Sequence, residues 1–488
     1  MRKKILNLFF FLCGFTINRV VDDTKGTIII LIDGLSFDSL QLALEKGYCP
    51  TIKKLRTNGY ILDRYYCGLP AATTSTEALL FYGNNFNIPG FTWYDRTLGT
   101  FVRGNRSSEL SEFEDQFGKK RNLLDKGSSI MSVYTGGATE LSVSGRYLTF
   151  SRSLYFIKTA HYFLMALLYP IQLVRTLYLT VKTIIFFNKA KWHSAKETFS
   201  KITLGQFSCF LTEIEIMRNT QKIFIDFLLY DEFAHEYGPV NKATLSTLRL
   251  IDRYINRIIT SAQKAKRDYD IIILSDHGQT ESIPFDQKTN RIIRDIAHAL
   301  DNDTYSITKT YGGFVPTGDT KEVYVVPAGS TLQLYFSDYL KTGVFEHEIV
   351  HRFPQIIKKL LALEEFGWVL VKIDNTTSRL YGKQGTVLLK SNNASLSEGH
   401  PFPQLTQDEI EKTIASFGYY STFPNNGDIV LFGNITSQKK VYSFENHKGT
   451  HGGFYGPMVY PFILSTKKYD NVNSMESLFN SIWRGMEA

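Results

Sequence analysis

The chain alternates short, wholly apolar runs with stretches in which apolar residues recur at helical spacing. The clearest apolar runs cover residues 26–32, 222–230 and 268–275, and each has the length of a buried strand. Strands that are apolar on both faces are typical of parallel sheets covered by helices on both sides. The pattern therefore predicts an α/β fold with a central, mostly parallel sheet flanked by helices.

Helical spacing follows several of these runs. Residues 35–45 complete a first β-α unit, and residues 50–55 begin a second helix with Pro50 near its first turn. A further helix is predicted over residues 71–80, and a strongly amphipathic one over residues 244–259, after the Gly-Pro pair that ends the preceding segment.

Residues 280–445 form a long insertion with elements of its own. Strands are predicted at residues 322–326, 331–335 and 368–371, and helical spacing occupies residues 349–363. We expect this insertion to cover the site as a cap that selects the substrate.

Basic charge is concentrated in a second insertion. Between Glu140 and Glu197 there is no acidic residue, whereas the segment carries basic residues throughout: Arg146, Arg152, Lys158, Arg175, Lys182, Lys189, Lys191 and Lys196. The apolar runs between them are interrupted by charge and by Pro170, so neither reaches the roughly 20 apolar residues that a membrane span requires. Basic, aromatic helices of this kind are typical of a membrane interface; the alternative is a helical hairpin packed on the protein's own core or on a second subunit.

The N-terminus has basic residues at positions 2–4, followed by a short apolar run over residues 5–15. This is the pattern of an export signal or a short membrane anchor, although an N-terminal element packed on the core has a similar pattern. We therefore expect an exported protein: periplasmic, extracellular or membrane-associated. The predicted organisation is a signal or anchor segment (1–20), three catalytic core parts (26–140, 201–285 and 441–488), a basic apolar helical insertion (141–200) and a cap (286–440).

The four cysteines, Cys13, Cys49, Cys67 and Cys209, form no metal-binding pair, which excludes zinc sites built on thiolates. Cys49 and Cys67 either pair in an oxidising compartment or remain free thiols. The net charge of +8 matches the basic insertion rather than a nucleic-acid-binding motif. We therefore expect no nucleic acid partner, and the oligomeric state stays open.

Polar residues with metal-binding chemistry follow the predicted strands. Asp33 follows the first, Asp231 and His235 the second, and Asp276-His277 the third, while His451 lies in a glycine-rich loop near the C-terminus. Sites in open α/β sheets form at the carboxyl ends of the strands. Carboxylates mixed with imidazoles suit a borderline divalent metal.

Hydroxyl residues begin the helix predicted after Pro70. A hydroxyl at a helix N-terminus lies beside free backbone N–H groups and the positive end of the helix dipole, which favours a phosphate group. The commoner role for Thr73 or Thr74 at this position is simple N-capping.

These segments, in this order, resemble the alkaline phosphatase superfamily and, within it, the type I phosphodiesterase/nucleotide pyrophosphatase branch. The resemblance spans residues 26–465 and is carried by Asp33-Gly34, Pro70-Ala71-Ala72-Thr73, Asp231 to Pro239, Ser275 to Gly278, and Gly449 to Gly452. It is not the sulfatase pattern, because the proline after Cys67 is wrongly spaced and the arginine of that pattern is missing.

The resemblance implies an alkaline-phosphatase-like fold with a threonine nucleophile, Thr73, with Thr74 and Thr76 as alternatives, and two divalent metal ions. Zinc is favoured because magnesium prefers all-oxygen ligands. The residues implied to bind one ion are Asp231, His235 and His451, and those implied to bind the other are Asp33, Thr73, Asp276 and His277. Trp93 or Tyr94 occupies the position where nucleotide pyrophosphatases have a phosphate-binding Asn, so these two residues are candidates for substrate binding.

The expected activity is metal-dependent hydrolysis of a phosphoester, of the phosphodiesterase/pyrophosphatase type, on a small molecule or a lipid headgroup at a membrane surface. A transferase that passes a phospho-headgroup to a lipid or glycan hydroxyl uses the same residues and is the first alternative. A catalytically silent binding module on this fold is the second, although such a protein has no need of the complete ligand set.

Overall fold

The structure is a computed structural model of the 488-residue chain. It describes residues 24–105, 107–117, 122–144, 174, 177–178, 181, 195–285, 291–301, 304–311, 316, 321–390, 395–469 and 474–487. The predicted signal or anchor segment (1–20) and most of the basic insertion (141–200) lie outside these residues. Among the helices that are described, none combines the length and apolar character needed to cross a membrane.

The described strands are, in chain order, β1 (Gly26–Ile32), β2 (Ile61–Arg64), β3 (Thr92–Asp95), β4 (Thr100–Arg103), β5 (Ser128–Ser132), β6 (Leu141–Ser144), β7 (Lys222–Phe227), β8 (Tyr269–Leu274), β9 (Thr280–Pro284), β10 (Ser306–Lys309), β11 (Glu322–Ala328), β12 (Thr331–Phe336), β13 (Phe366–Lys372), β14 (Thr377–Gly382), β15 (Gly385–Lys390), β16 (Ser395–Gly399), β17 (Ile429–Gly433), β18 (Val441–Ser443), β19 (Gly449–Thr450) and β20 (Phe462–Ser465). The described helices are α1 (Phe37–Glu45), α2 (Pro50–Thr57), α3 (Thr73–Tyr82), α4 (Ser107–Asp115), α5 (Ala195–Met217), α6 (Leu229–Tyr237), α7 (Lys242–Ala262), α8 (Arg291–Leu300), α9 (Glu346–Arg352), α10 (Ile356–Ala362), α11 (Gln407–Ser421) and α12 (Met475–Glu487). Short 3₁₀ turns cover Ser337–Tyr339 and Gly456–Val459.

The central sheet has the order β2-β20-β8-β1-β7-β5-β6. Strands β8, β1, β7, β5 and β6 are parallel, and β20 is antiparallel to both of its neighbours. Every residue of β1 is buried, because the strand lies at the middle of the sheet and helices cover both faces. The expected mostly parallel α/β sheet is confirmed.

The two faces of β1 belong to different apolar cores. Ile28, Ile30 and Ile32 pack with buried residues of α1, α2, α5 and α7, whereas Ile29 and Leu31 pack with residues of α3, α4 and α12. Alternation along a strand sends successive side chains to opposite faces, so one apolar run serves two layers of helices.

The cap insertion forms its own sheet, in the order β10-β11-β12-β17-β13-β14-β15-β16. Trp368, Leu370 and Phe432 on one face share an apolar cluster with Ile29 and Leu31 of the central sheet. The opposite face packs against α8, α9 and α10. The cap is therefore joined to the catalytic core through a continuous apolar interior.

The segment after β7 differs from the sequence prediction. The strand ends at Phe227 rather than Tyr230, and Asp231 and His235 lie on helix α6 rather than in a loop. Leu229, Tyr230, Phe233 and Ala234 are buried with a helical spacing, which a short apolar run does not distinguish from a strand. On a helix, residues four positions apart share a face, so Asp231 and His235 point the same way.

The described cysteines are free thiols. Cys49, Cys67 and Cys209 are all buried, so the possible pairing of Cys49 with Cys67 is not present. Burial raises the pKa of the Cys49 and Cys67 thiols, which keeps both of them protonated.

Helix α2 is capped from a distant part of the chain. Its own N-cap residue, Cys49, makes no side-chain cap, and instead Asp252 on α7 accepts hydrogen bonds from the Thr51 and Ile52 N–H groups at 2.9 and 3.0 Å. One carboxylate thus satisfies two N–H groups that lack intrahelical partners, at the positive end of the helix.

We predict that Asp252→Ala lowers the free energy of unfolding by about 1–2 kcal/mol, because it removes this cap from two N–H groups. Urea denaturation followed by circular dichroism measures the change. Glu45→Ala, at an exposed carboxylate at the end of α1, is the matched control and is expected to shift stability by less than about 0.5 kcal/mol. Equal stability of the two variants would remove the capping role from Asp252.

Candidate metal centre

Six side chains from four chain segments meet at the carboxyl edge of the central sheet. Asp33 follows β1, Asp276 and His277 follow β8, and α6, which follows β7, carries Asp231 and His235. Because β7, β1 and β8 are neighbours, their ends lie side by side. His451 follows β19, which pairs with β9 just beyond His277.

The potential ligand atoms form two groups in which all atoms lie within 4.8 Å of one another. One group is Asp33, Asp276 and His277, and the other is Asp231, His277 and His451. His277 belongs to both, whereas the sequence resemblance implied His235 in the second group. His235 is nonetheless adjacent, because its Nε2 lies 3.0 Å from Asp231 Oδ2.

Backbone carbonyl groups fix the orientation of three imidazoles. Nδ1 of His235 lies 2.8 Å from the Gly449 oxygen, Nδ1 of His277 lies 3.0 Å from the Gly278 oxygen, and Nδ1 of His451 lies 2.9 Å from the Ala71 oxygen. A carbonyl oxygen only accepts, so each Nδ1 carries the proton. In a neutral ring with the proton on Nδ1, Nε2 has a free lone pair. This is the tautomer that binds a metal through Nε2.

The lone pair of His277 faces negative charge. Its Nε2 lies 3.2 Å from Asp276 Oδ2 and 3.6 Å from Asp33 Oδ1. Asp276 Oδ2 is buried and has no hydrogen-bond donor among the described residues. A lone pair directed at buried carboxylate oxygens is repulsive unless a cation lies between them, so this donor set fits divalent metal ions.

Burial has opposite effects on the acids and bases of the centre. It raises the pKa of Asp276 to about 6, and burial together with the Asp231 and Asp276 charges raises the pKa of Asp33 well above its usual value. Burial lowers the pKa of His277 to about 4 and that of His451 to about 3, so both rings are neutral at pH 7.

His235 and Asp231 behave as a charged pair. Burial lowers the pKa of His235, but the Asp231 charge outweighs it and raises the value to about 9. Burial raises the pKa of Asp231, yet His235 and the other imidazoles hold it well below its usual range. Asp231 therefore carries a full negative charge in the centre.

Thr73 is the first residue of α3, and its hydroxyl points at the metal centre rather than at its own helix. Oγ1 lies 3.2 Å from His277 Nε2 and donates to Asp33 Oδ1 at 3.4 Å. The N-cap residue is Ala72, and the Thr74 hydroxyl donates to the Gly90 carbonyl oxygen. Neither Thr73 nor Thr74 therefore caps the helix, although N-capping is the commoner role for a hydroxyl at this position.

A family model for type I phosphodiesterase/nucleotide pyrophosphatase matches residues 27–387, which is most of the chain. The chain belongs to this family. It is accordingly a hydrolase acting on phosphoester bonds, within the alkaline phosphatase superfamily. A search of curated protein sequences gave no significant match.

Solved structures with a similar fold include murine ectonucleotide pyrophosphatase/phosphodiesterase 5, as an inactive threonine-to-alanine variant in complex with AMP. It is 12% identical, with a TM-score of 0.50 and 95% of each chain covered. Phosphonoacetate hydrolase from Sinorhizobium meliloti 1021, in complex with phosphonoacetate, is 13% identical, with a TM-score of 0.48 and 95% of each chain covered.

The two aromatic candidates for substrate binding are packed inside this phosphodiesterase-family fold. Trp93 is fully buried, with its ring 5.0 Å from that of Phe113, and Tyr94 is 3% exposed, with its ring 5.1 Å from that of Phe101. Strand β3 sends them to opposite faces, and both faces are covered. In this structure both rings pack against neighbouring aromatic side chains, and their role in substrate binding stays a prediction.

Two further residues contact the ligands: Gln279, which was not singled out from the sequence, and His447, for which the sequence left open a position beside the ligands or in a plain loop. Gln279 donates through Nε2 to both Oδ1 and the backbone oxygen of Asp231. The His447 ring stacks on His235 with centroids 3.9 Å apart, and its Nδ1 lies 3.8 Å from Glu445 Oε2. For Gln279 the only sequence signal is its place directly after the Asp-His-Gly turn.

Two further buried carboxyl groups interact electrostatically with Asp33. Asp226 interrupts the apolar run of β7, and Glu77 is a buried charge within α3. Burial and mutual repulsion raise the pKa of both well above the usual range. Charge inside an otherwise apolar element is the signal that identifies such residues in a sequence.

Gly34, next to Asp33, packs tightly against Asp231. Its φ is +70°, and a Cβ at this position would lie 2.2 Å from Asp231 Oδ1. We predict that Gly34→Ala displaces Asp231 and lowers the amount of tightly bound divalent metal, measured by mass spectrometry of the purified protein after removal of free metal.

Gly47→Ala is the matched control, since Gly47 has φ +71° and no atom within 4 Å of the added Cβ. It imposes the same backbone strain, of about 1 kcal/mol, without the clash. Equal metal content in the two variants would contradict the assignment of Asp231 as a ligand.

Proposed function

We propose that this protein is a two-metal phosphodiesterase in which Thr73 is the nucleophile. The observation that carries the proposal is the position of the Thr73 hydroxyl, 3.2 Å from His277 and 3.4 Å from Asp33. A nucleophile next to both ligand groups is where in-line attack on a bound phosphoryl group requires it.

Two divalent ions would fit the donor set, because its ligand atoms form two groups. We assign Asp231, His451 and His235 to one ion, with His235 giving up the Nε2 proton that it shares with Asp231. We assign Asp33, Asp276 and His277 to the other ion, on the side of Thr73 Oγ1. The mixture of imidazole and carboxylate donors favours zinc. When bound, the ions lower the pKa of the threonine hydroxyl and neutralise charge on the phosphoryl oxygens.

The Thr73 hydroxyl releases its proton to solvent as Oγ1 attacks phosphorus, forming an O–P bond while the bond from phosphorus to the leaving oxygen breaks. The leaving group departs with the electron pair of that bond and takes up a proton from solvent. Water then attacks the phosphothreonine ester, which restores the Thr73 hydroxyl and releases the phosphate product. The N-terminus of α3 supplies backbone N–H groups and a positive dipole end for the phosphoryl oxygens.

The similar murine protein supports this reading, since its structure contains AMP and its threonine-to-alanine variant is inactive. For the present chain, we infer that the substrate is a small phosphodiester or a phosphorylated headgroup.

We predict that Thr73→Ala lowers kcat for bis(4-nitrophenyl) phosphate by roughly three orders of magnitude or more, because the attacking oxygen is lost. Thr73→Ser, which keeps a hydroxyl, retains measurable turnover. Thr74→Ala is the matched control on the adjacent residue and is expected to keep most of the activity. Bound metal is measured in all variants, and full activity of metal-loaded Thr73→Ala would exclude Thr73 as the nucleophile.

We also propose that the protein is exported and that its basic insertion (141–200) lies on an anionic membrane surface. The support is compositional: the segment joins basic residues to apolar and aromatic runs and has no acid before Glu197.

Flotation with phosphatidylserine vesicles tests the membrane proposal. The full chain is expected to float with the vesicles at low salt, and a chain lacking residues 150–190 is expected to stay at the bottom. Hydrolysis of a soluble diester by the shortened chain verifies that it is folded. Equal flotation of both chains would overturn the membrane role.

A further inference from the structure

Two basic residues flank one tyrosine ring beside the metal centre. The Arg103 guanidinium carbon lies 5.7 Å from the centroid of the Tyr311 ring, and Lys309 Nζ lies 5.2 Å from the same centroid. Arg103 ends β4 and Lys309 ends β10. The pair therefore comes from distant segments of the chain and is held together by cation–π contacts with a single ring.

The Arg103 side of this pair adjoins the nucleophile helix. Gly104 follows Arg103, and a Cβ on Gly104 would lie 2.6 Å from the Thr74 methyl group. The backbone at Arg103 is thus packed against the residue that follows Thr73.

A second link reaches the histidine side of the centre. Arg103 and Lys309 both interact electrostatically with Glu445. Glu445 Oε2 accepts from the Gly329 N–H and lies 3.8 Å from His447, whose ring stacks on His235. The basic pair thus lies on the side of the centre occupied by Asp231 and His235.

The basic pair has more positive charge than its surroundings neutralise. Within the described part of the chain, neither Arg103 nor Lys309 forms an ion pair, and the carboxylate they face is Glu445, which also binds the Gly329 N–H. Burial and the Glu445 charge raise the pKa of Tyr311 to about 12, so its hydroxyl stays neutral. Arg103 Nε is buried and has no acceptor among the described residues.

We propose that Arg103 and Lys309 form an anion subsite for a second negatively charged group of the substrate, carried on the part that leaves. The inference rests on the proposed function, because it assumes that a phosphoryl group is bound between Thr73 and the histidines. The leaving oxygen lies opposite Thr73 in an in-line reaction, which is the side of Asp231 and His235. Arg103 and Lys309 then determine how strongly this chain discriminates between substrates by the charge of the leaving group.

A pair of chromogenic substrates isolates this charge. In methyl 4-nitrophenyl phosphate the leaving group carries no charged group besides the oxygen that leaves. Methyl 3-carboxy-4-nitrophenyl phosphate adds one carboxylate to a leaving group of similar basicity. We expect the wild-type enzyme to have the higher kcat/KM for the carboxylated ester, mainly through a lower KM. Arg103→Gln and Lys309→Gln should each lower kcat/KM for that ester roughly tenfold and change the value for the neutral ester less than about twofold.

Lys448→Gln is the matched control for general electrostatic attraction. Lys448 is exposed and its backbone N–H donates to the His235 carbonyl oxygen, so its charge lies near the site but outside the pair. It should not change the ratio between the two esters. An unchanged ratio in both Arg103→Gln and Lys309→Gln, or an equal loss on both esters, would overturn the subsite.

Binding separates failure of the subsite from failure of the proposed function. Both esters are titrated calorimetrically into zinc-loaded Thr73→Ala protein, with and without Arg103→Gln. A preference for the carboxylated ester that disappears with Arg103→Gln supports the subsite even if the wild-type protein cleaves neither ester. Equal affinities for the two esters in the protein that retains Arg103 would overturn the subsite even if turnover is normal.

Discussion

The structure depends on a cluster of buried carboxyl groups, most of which have no positively charged partner among the described side chains. Asp33, Asp231 and Asp276 converge at the sheet edge, and the buried Asp226 and Glu77 interact electrostatically with Asp33. Two of the imidazoles, His277 and His451, supply no positive charge, because burial lowers the pKa of both rings and keeps them neutral at pH 7. Carboxylates buried in this way are unfavourable unless cations compensate their charge. We therefore expect the binding of divalent metal ions to stabilise the fold.

The parallel sheet is what makes the convergence possible. The middle strands β7, β1 and β8 end together, and each continues directly into a segment that carries a ligand. The Ala71 carbonyl oxygen links the C-terminal loop to the segment that begins α3, because it accepts from the Gly452 N–H and lies 2.9 Å from His451 Nδ1. The cap adds Gly329, whose close packing on the His451 carbonyl leaves no room for a side chain. Core, loop and cap thus position the same imidazole.

Much of this arrangement follows from local sequence. The runs before Asp33 and Asp276 are apolar on both faces, so buried parallel strands and ligands at their ends were predictable. The helix that carries Asp231 and His235 was not, because Leu229 and Tyr230 fit the end of a strand as well as the first turn of a helix. The burial of Trp93 and Tyr94 depends on Phe113, Phe101 and Tyr335, which the fold brings to them from other elements. The pairing of Arg103 with Lys309 likewise depends on the tertiary fold.

The most direct test of the central claim is anomalous diffraction at the zinc edge from crystals of the full chain grown with zinc. We expect two anomalous peaks about 3.5–4 Å apart, one beside Asp231 and His451 and the other beside Asp33 and Asp276, with Thr73 Oγ1 adjacent to the second. The absence of a peak among these six side chains, with His277 Nε2 still facing the two carboxylates, would contradict the account.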